Sequence, residues 1–180
     1  MYKLLKQIAK TGIRTEAPPD ADDGLRIVAQ RLTDRILDTL GGALTIRHVD
    51  AGSCNGCELE IHAVNNPYYN LEGLGIKFVA SPRHADLLLV TGPVSRHMET
   101  ALRRTYDATP DPKLVVAIGD CGCTGGVFGA GYASCGSVAS VIPVDVAVPG
   151  CPPTPTAIMQ GILTAISAGK APTPRCDTAS

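Results

Sequence analysis

What the 180-residue chain lacks sets the first limits. It has no tryptophan, two phenylalanines and five tyrosines, and its formal net charge is −1. A nucleic-acid binder draws on surplus Lys and Arg for phosphates and on aromatic rings for stacking, so no nucleic-acid partner is expected. No apolar run approaches the roughly 20 residues of a spanning helix. The N-terminus has neither the apolar core of a secretory signal nor a twin-arginine pair, which predicts a cytoplasmic protein. Charged residues are also sparse, at 18% against 44% hydrophobic. That balance fits one well-buried globular domain rather than a disordered chain.

Acidic residues are missing from one stretch altogether. Before Glu16 the chain carries Lys3, Lys6, Lys10 and Arg14, interleaved with Tyr2, Leu4, Leu5, Ile8 and Ile13. A basic, apolar segment of this kind suits an anionic membrane surface or a membrane subunit; a terminal helix packed on its own domain is the plainer alternative. Pro18-Pro19 then marks a linker. Residues 1–23 are thus expected to form a basic amphipathic segment and linker, residues 24–170 a single α/β domain, and residues 171–180 a loose tail.

Within the domain, Leu25, Val28, Leu32, Ile36 and Leu40 recur at helical spacing, with Asp20, Asp22 and Asp23 before them and Gly41-Gly42 after. These are start and stop signals of an amphipathic helix. Beyond it, short Val/Ile/Leu runs at 44–49, 76–80, 87–91, 114–118 and 144–148 alternate with helical segments at 58–65, 95–108 and 154–168. Near-continuous apolar strands separated by helices predict a parallel sheet covered on both faces, in the flavodoxin-like style.

What the chain does have is cysteine. Seven are present, an odd number that argues for metal ligation over a disulfide framework. Cys54 and Cys57 follow the first strand, Cys121 and Cys123 follow the fourth, and Cys151 follows the fifth. Ligands of such sheets sit at the carboxyl ends of the strands, so three strand ends deliver cysteine to one edge. A CxxC pair where a helix begins suits thiolates, because unpaired N–H groups and the helix dipole favour negative sulfur. Zinc, a dithiol or an iron–sulfur cluster would each use it. The 63 residues between Cys57 and Cys121 are long for a zinc ribbon, and a thioredoxin-type dithiol leaves Cys121 and Cys151 without a task. The Cys151-Pro152 step is common after a cluster ligand. The balance favours a cluster, with zinc and dithiol behind it. Residues 119–136 hold seven glycines, a loop that lets backbone N–H groups approach sulfur.

The motifs Gly52-Ser53-Cys54-Asn55-Gly56-Cys57, Ser81-Pro82-Arg83-His84-Ala85-Asp86, Gly119-Asp120-Cys121 with Gly125-Gly126, and residues 143–153 around Gly150-Cys151-Pro152-Pro153 resemble one family. It is the small, cluster-bearing subunit shared by NiFe hydrogenases and respiratory complex I, the complex I 20 kDa subunit family. Complex I members carry two adjacent cysteines at the first site, whereas the spaced pair here is that of the hydrogenase branch. The resemblance is best to membrane-bound, energy-conserving NiFe hydrogenases of the formate hydrogenlyase and CO-induced type. It implies Cys54, Cys57, Cys121 and Cys151 as ligands of one proximal 4Fe–4S cluster that passes single electrons to or from a NiFe site. It also implies a NiFe-bearing large subunit, a ferredoxin-like iron–sulfur subunit and membrane-arm subunits as partners, and a peripheral place on the cytoplasmic side of the membrane. A complex I-type quinone- or sulfur-reducing subunit is the alternative within the family, and a structural zinc adaptor the alternative outside it. Cys123, Cys135 and Cys176 have no counterpart among the family's ligands, although Cys123 could replace Cys121 by position. Glu60 aligns with a complex I acid and is a candidate for proton coupling or an interface; an acid in a helix's first turn is the simpler reading, for Glu58 as well. His62 and His84 are weaker candidates for tuning the cluster, and His48 and His97 carry no argument.

Overall fold

The computed structural model describes residues 2–12, 23–40 and 42–168. The proline linker, the tail after residue 168 and Cys176 with it lie outside those residues. The elements are α1 (Tyr2–Thr11), α2 (Asp23–Leu40), β1 (Leu44–Asp50), α3 (Gly56–Val64), β2 (Ile76–Phe78), β3 (Leu87–Thr91), α4 (Arg96–Ala108), β4 (Leu114–Ile118), α5 (Gly119–Thr124), β5 (Val146–Val148) and α6 (Pro155–Ala168).

The five strands form one sheet in the order β2-β1-β3-β4-β5, every neighbouring pair parallel. This is the flavodoxin-like order expected from the sequence. Two strands are shorter than the apolar runs predict. Residues 79–80 and 144–145 fall outside β2 and β5, although Val79 N still donates to Ile46 O and Asp145 N to Val115 O, both at 2.9 Å, at the strand ends. The short helix α5 was not foreseen. It sits in a glycine-rich stretch whose composition reads as loop.

Two apolar layers hold helices to the sheet. On one face Leu25, Val28, Leu32 and Ile36 of α2 pack with Ile61 and Val64 of α3, Ile158 and Ile162 of α6, and Leu44, Ile46, Leu87 and Leu89 of the strands. On the other face Leu102 of α4 packs with Val138, Val141 and Ile142 against Val49, Leu88, Val90 and Val115. Burying each such side chain contributes about 1.5–3 kcal/mol. Strand β3 is buried along its whole length, as a central strand covered on both faces must be.

Carboxylates fix the sheet at its N-terminal edge. Asp86 Oδ2 accepts from Thr45 N at 3.0 Å, and Asp145 Oδ2 accepts from Val115 N at 2.7 Å. At the other edge the register aligns the strand ends in one row, since Asp50 pairs with Thr91, Thr91 with Ile118, and Ile118 with Val148. The loops that follow therefore leave the sheet at a common level. No helix among the described residues is long and apolar enough to cross a membrane.

Candidate metal centre

Each cysteine loop leaves that row of strand ends and is tied down by backbone hydrogen bonds. After β1, Asp50 Oδ1 accepts from Gly52 N and Ser53 N, both at 2.8 Å. Asn55, in the left-handed region at φ 72, then turns the chain into α3. After β4 and β5 the two loops hold each other, with Asp120 N donating to Gly150 O at 2.9 Å and Gly150 N to Asp120 Oδ1 at 2.8 Å. Cys121 and Cys151 each adjoin one of these partners.

The thiols act on one another. The Cys57 pKa is pushed up to about 12, by burial first and then by Glu58, Cys54, Cys121 and Cys151. The Cys121 thiol is raised by burial, then by Cys151, Cys54 and Asp120. Four thiols from three strand ends thus share one electrostatic neighbourhood, with Cys57 buried, Cys121 half-buried, and Cys54 and Cys151 exposed.

Backbone closes around the sulfurs. A Cβ on Gly119 (φ +83) would lie 2.7 Å from Cys57 Sγ, and one on Gly126 (φ +55) would lie 2.7 Å from Cys121 Sγ. Both conformations favour glycine, and both sites leave room for a sulfur and nothing more. Among the described residues no three His, Cys, Asp or Glu side chains stand close enough to hold a single metal ion. Four thiols are donors that suit an iron–sulfur cluster.

The other sequence candidates fall elsewhere. Cys123 Sγ points back to Ala117 O at 3.8 Å, its pKa raised by burial and then by Asp120, and it is not among the thiols acting on Cys57. Cys135 Sγ lies 3.3 Å from Glu99 Oε2. His84 is exposed at the N-terminal edge, in the turn before β3, and His62 is exposed on α3. Glu60 is half-buried on α3.

The acid that the structure places inside is Glu58, 8% exposed. Ser53 Oγ donates to its Oε2 and Thr91 Oγ1 to its Oε1. His48 Nε2 stands 3.0 Å from Thr91 Oγ1 and 3.6 Å from Glu58 Oε1. Burial lowers the His48 pKa, against the opposing pull of Glu58 and Asp50. Helical spacing does not separate the two acids, since Glu58 stands three residues before Ile61 and Glu60 four before Val64; the bonds from Ser53 and Thr91 mark the buried one.

The chain is thus an all-parallel, doubly wound α/β domain with four thiols gathered at the C-terminal edge of its sheet. The chain belongs to the family described as NADH ubiquinone oxidoreductase, 20 kDa subunit, whose profile matches residues 54–165. It is a complex I-like electron-transfer subunit of an oxidoreductase complex. It is 46% identical over 140 residues to a probable membrane-bound hydrogenase subunit of Pyrococcus furiosus, covering 76% of this chain and 84% of that one. It is 47% identical over 121 residues to formate hydrogenlyase subunit 7 of Escherichia coli, covering 67% of this chain and 48% of that protein, about half its length. Among solved structures it is similar to a chain of the membrane-bound sulfane sulfur reductase, an archaeal respiratory membrane complex. That match has 33% identity, a TM-score of 0.63 and 78% coverage of each chain.

Proposed function

We propose that this chain is the electron-transfer subunit of a membrane-bound NiFe hydrogenase, with Cys54, Cys57, Cys121 and Cys151 holding one proximal 4Fe–4S cluster. The carrying observation is the convergence of four thiols from three strand ends, close enough that Cys54, Cys121 and Cys151 act on Cys57 and that Cys54 and Cys151 act on Cys121. Bound there, such a cluster supplies one-electron exchange. The protein's part is to fix the four sulfurs on rigid strand ends, to close backbone around two of them at Gly119 and Gly126, and to keep Cys57 from water. The chemistry of hydrogen belongs to a NiFe site in a large subunit.

The surface beside the cysteines suits docking. Leu59 on α3 is 61% exposed, and Val127, Phe128 and Tyr132 in the glycine-rich loop are 97%, 67% and 99% exposed. Large exposed apolar side chains within a few residues of Cys57 and Cys121 in the chain support a protein partner there. We assign that face to the large subunit, a ferredoxin-like subunit to the next step of electron flow, and the membrane arm to α1, whose described side chains are all exposed. The protein would then sit peripherally on the cytoplasmic side of the membrane.

The test is anaerobic purification with its partner subunits, followed by visible absorption, EPR, and iron, sulfide and nickel analysis. Four irons in this chain and nickel in the large subunit are expected. A colourless, zinc-containing chain would overturn the cluster. An iron-containing complex that lacks nickel and reduces sulfur or quinone would favour the second reading, which the similarity to the sulfane sulfur reductase supports.

A further inference from the structure

Glu58 immediately follows Cys57, yet its carboxylate faces the protein interior. Both oxygens are used as acceptors, Oε2 for Ser53 Oγ–H and Oε1 for Thr91 Oγ1–H. Thr91 is fully buried and has one hydroxyl proton to give. With that proton on Glu58, the Thr91 oxygen accepts from His48 Nε2–H at 3.0 Å, which fixes the histidine tautomer. On the other side, Ser53 Oγ accepts from Asn55 N at 3.0 Å. Donors therefore reach one carboxylate from two directions, Thr91 of β3 beneath the site, itself met by His48 of β1, and Ser53 of the turn that carries Cys54. None of them needs a proton from Glu58. Burial of a carboxylate costs less where a donor meets each of its oxygens in this way.

Two consequences follow from that placement. The Ser53–Glu58 bond ties the start of the cysteine turn to the first turn of α3, and the Thr91 bond ties both to the central strand. The charge also stands one residue from a cysteine ligand in a half-closed site, where electrostatic effects are weakly screened. Reduction adds an electron to the bound group, and a fixed negative neighbour opposes it.

We propose that Glu58 is the positioning residue of the cysteine turn, held by Ser53 and Thr91, and that its negative charge holds down the reduction potential of the cluster bound there. This rests on the reading that Cys54, Cys57, Cys121 and Cys151 hold a 4Fe–4S cluster. Glu58→Gln removes the charge and keeps the size. Glu58→Asp keeps the charge close by and changes the reach.

The experiment compares the wild-type complex with Glu58→Gln and Glu58→Asp by iron and sulfide content and by EPR-monitored redox titration. Glu58→Gln is expected to keep its iron and to favour the reduced state at least tenfold, an upward midpoint shift of about 59 mV for one electron. Glu58→Asp is expected to stay near the wild-type midpoint. An unmoved midpoint in an iron-replete Glu58→Gln complex overturns the proposal. So does an equal upward shift in both variants, which marks an effect of shape alone. If Glu58→Gln loses its iron, the reduced-minus-oxidised infrared spectrum decides. A carboxylate stretching band that moves in Glu58→Asp supports the proposal, and the absence of any such band in the wild type overturns it. A wild-type chain without iron and sulfide overturns instead the reading beneath, so the two failures are distinct.

Discussion

Gly119→Ala places one methyl group against the sulfur of a buried cysteine. The new Cβ would stand 2.7 Å from Cys57 Sγ and 3.4 Å from Gly150 O. Cys57 is 9% exposed and packed in the core that includes Ile61 and Ile118, so its side chain has little room to swing away. The backbone must also hold an L-residue at φ +83, a conformation that costs about 1–2 kcal/mol. Overpacking in a filled interior adds about 1–3 kcal/mol. The sum is about 2–5 kcal/mol, or on the order of 10 °C in Tm for a chain of this length. Any residual adjustment moves Cys57 Sγ off its place, so iron content should fall with the melting temperature. Gly131→Ala is the control, because a Cβ there meets nothing within 4 Å, and it should stay within about 0.5 kcal/mol of wild type. Parallel iron assays and thermal melts of the two variants read both effects. A Gly119→Ala protein with wild-type iron and wild-type Tm would refute the close approach of backbone to sulfur.

Three further outcomes are expected. Cys54→Ser, Cys57→Ser, Cys121→Ser and Cys151→Ser should each lose the four-iron EPR signal or leave a three-iron form, whereas Cys123→Ser and Cys135→Ser should keep it; loss in Cys123→Ser with retention in Cys121→Ser would reverse that assignment. In the iron-free chain at pH 8, Cys57 should alkylate more slowly than Cys54 by mass spectrometry. Its pKa, raised from 9.0 to about 12, makes its thiolate about a thousandfold scarcer than that of an unperturbed thiol, and equal labelling would contradict it. Deleting residues 1–14 should leave iron content and Tm nearly unchanged and shift the complex from the membrane to the soluble fraction; loss of iron on deletion would place α1 in the core.

The strands were legible because their side chains face apolar layers on both sides, so composition alone marks them: the runs at 87–91 and 114–118 coincide with β3 and β4. Their parallel arrangement then put Cys54, Cys121 and Cys151 at one edge before any coordinate was known. The electrostatic coupling of the thiols agrees with that placement. Asp50, Asp120 and Thr91 were less legible. Each acts through a hydrogen bond to a residue brought near by the loops or the sheet, and no local period announces such a bond. Thr91 in particular ends an apolar strand and reads as the residue where the run fails. It is fully buried, and its hydroxyl is the one polar group β3 sends to Glu58. Glu58 and Glu60 are alike as first-turn acids of a helix. Helical spacing flanks the core stripe with both, and only the hydroxyls of Ser53 and Thr91 separate the buried one from its neighbour.

The charge arrangement at this edge also bears on what the site accepts. Asp50, Glu58 and Asp120 each hold a cysteine loop through hydrogen bonds. Two of these carboxylates act directly on thiols, Glu58 on Cys57 and Asp120 on Cys121. That crowding is part of what raises Cys57 and Cys121. The carboxylates cannot be dispensed with, since they satisfy backbone and hydroxyl donors that the sharp loops leave without partners. A metal that binds there must displace the protons of Cys57 and Cys121, whose thiols are held above the ordinary range by burial and negative neighbours.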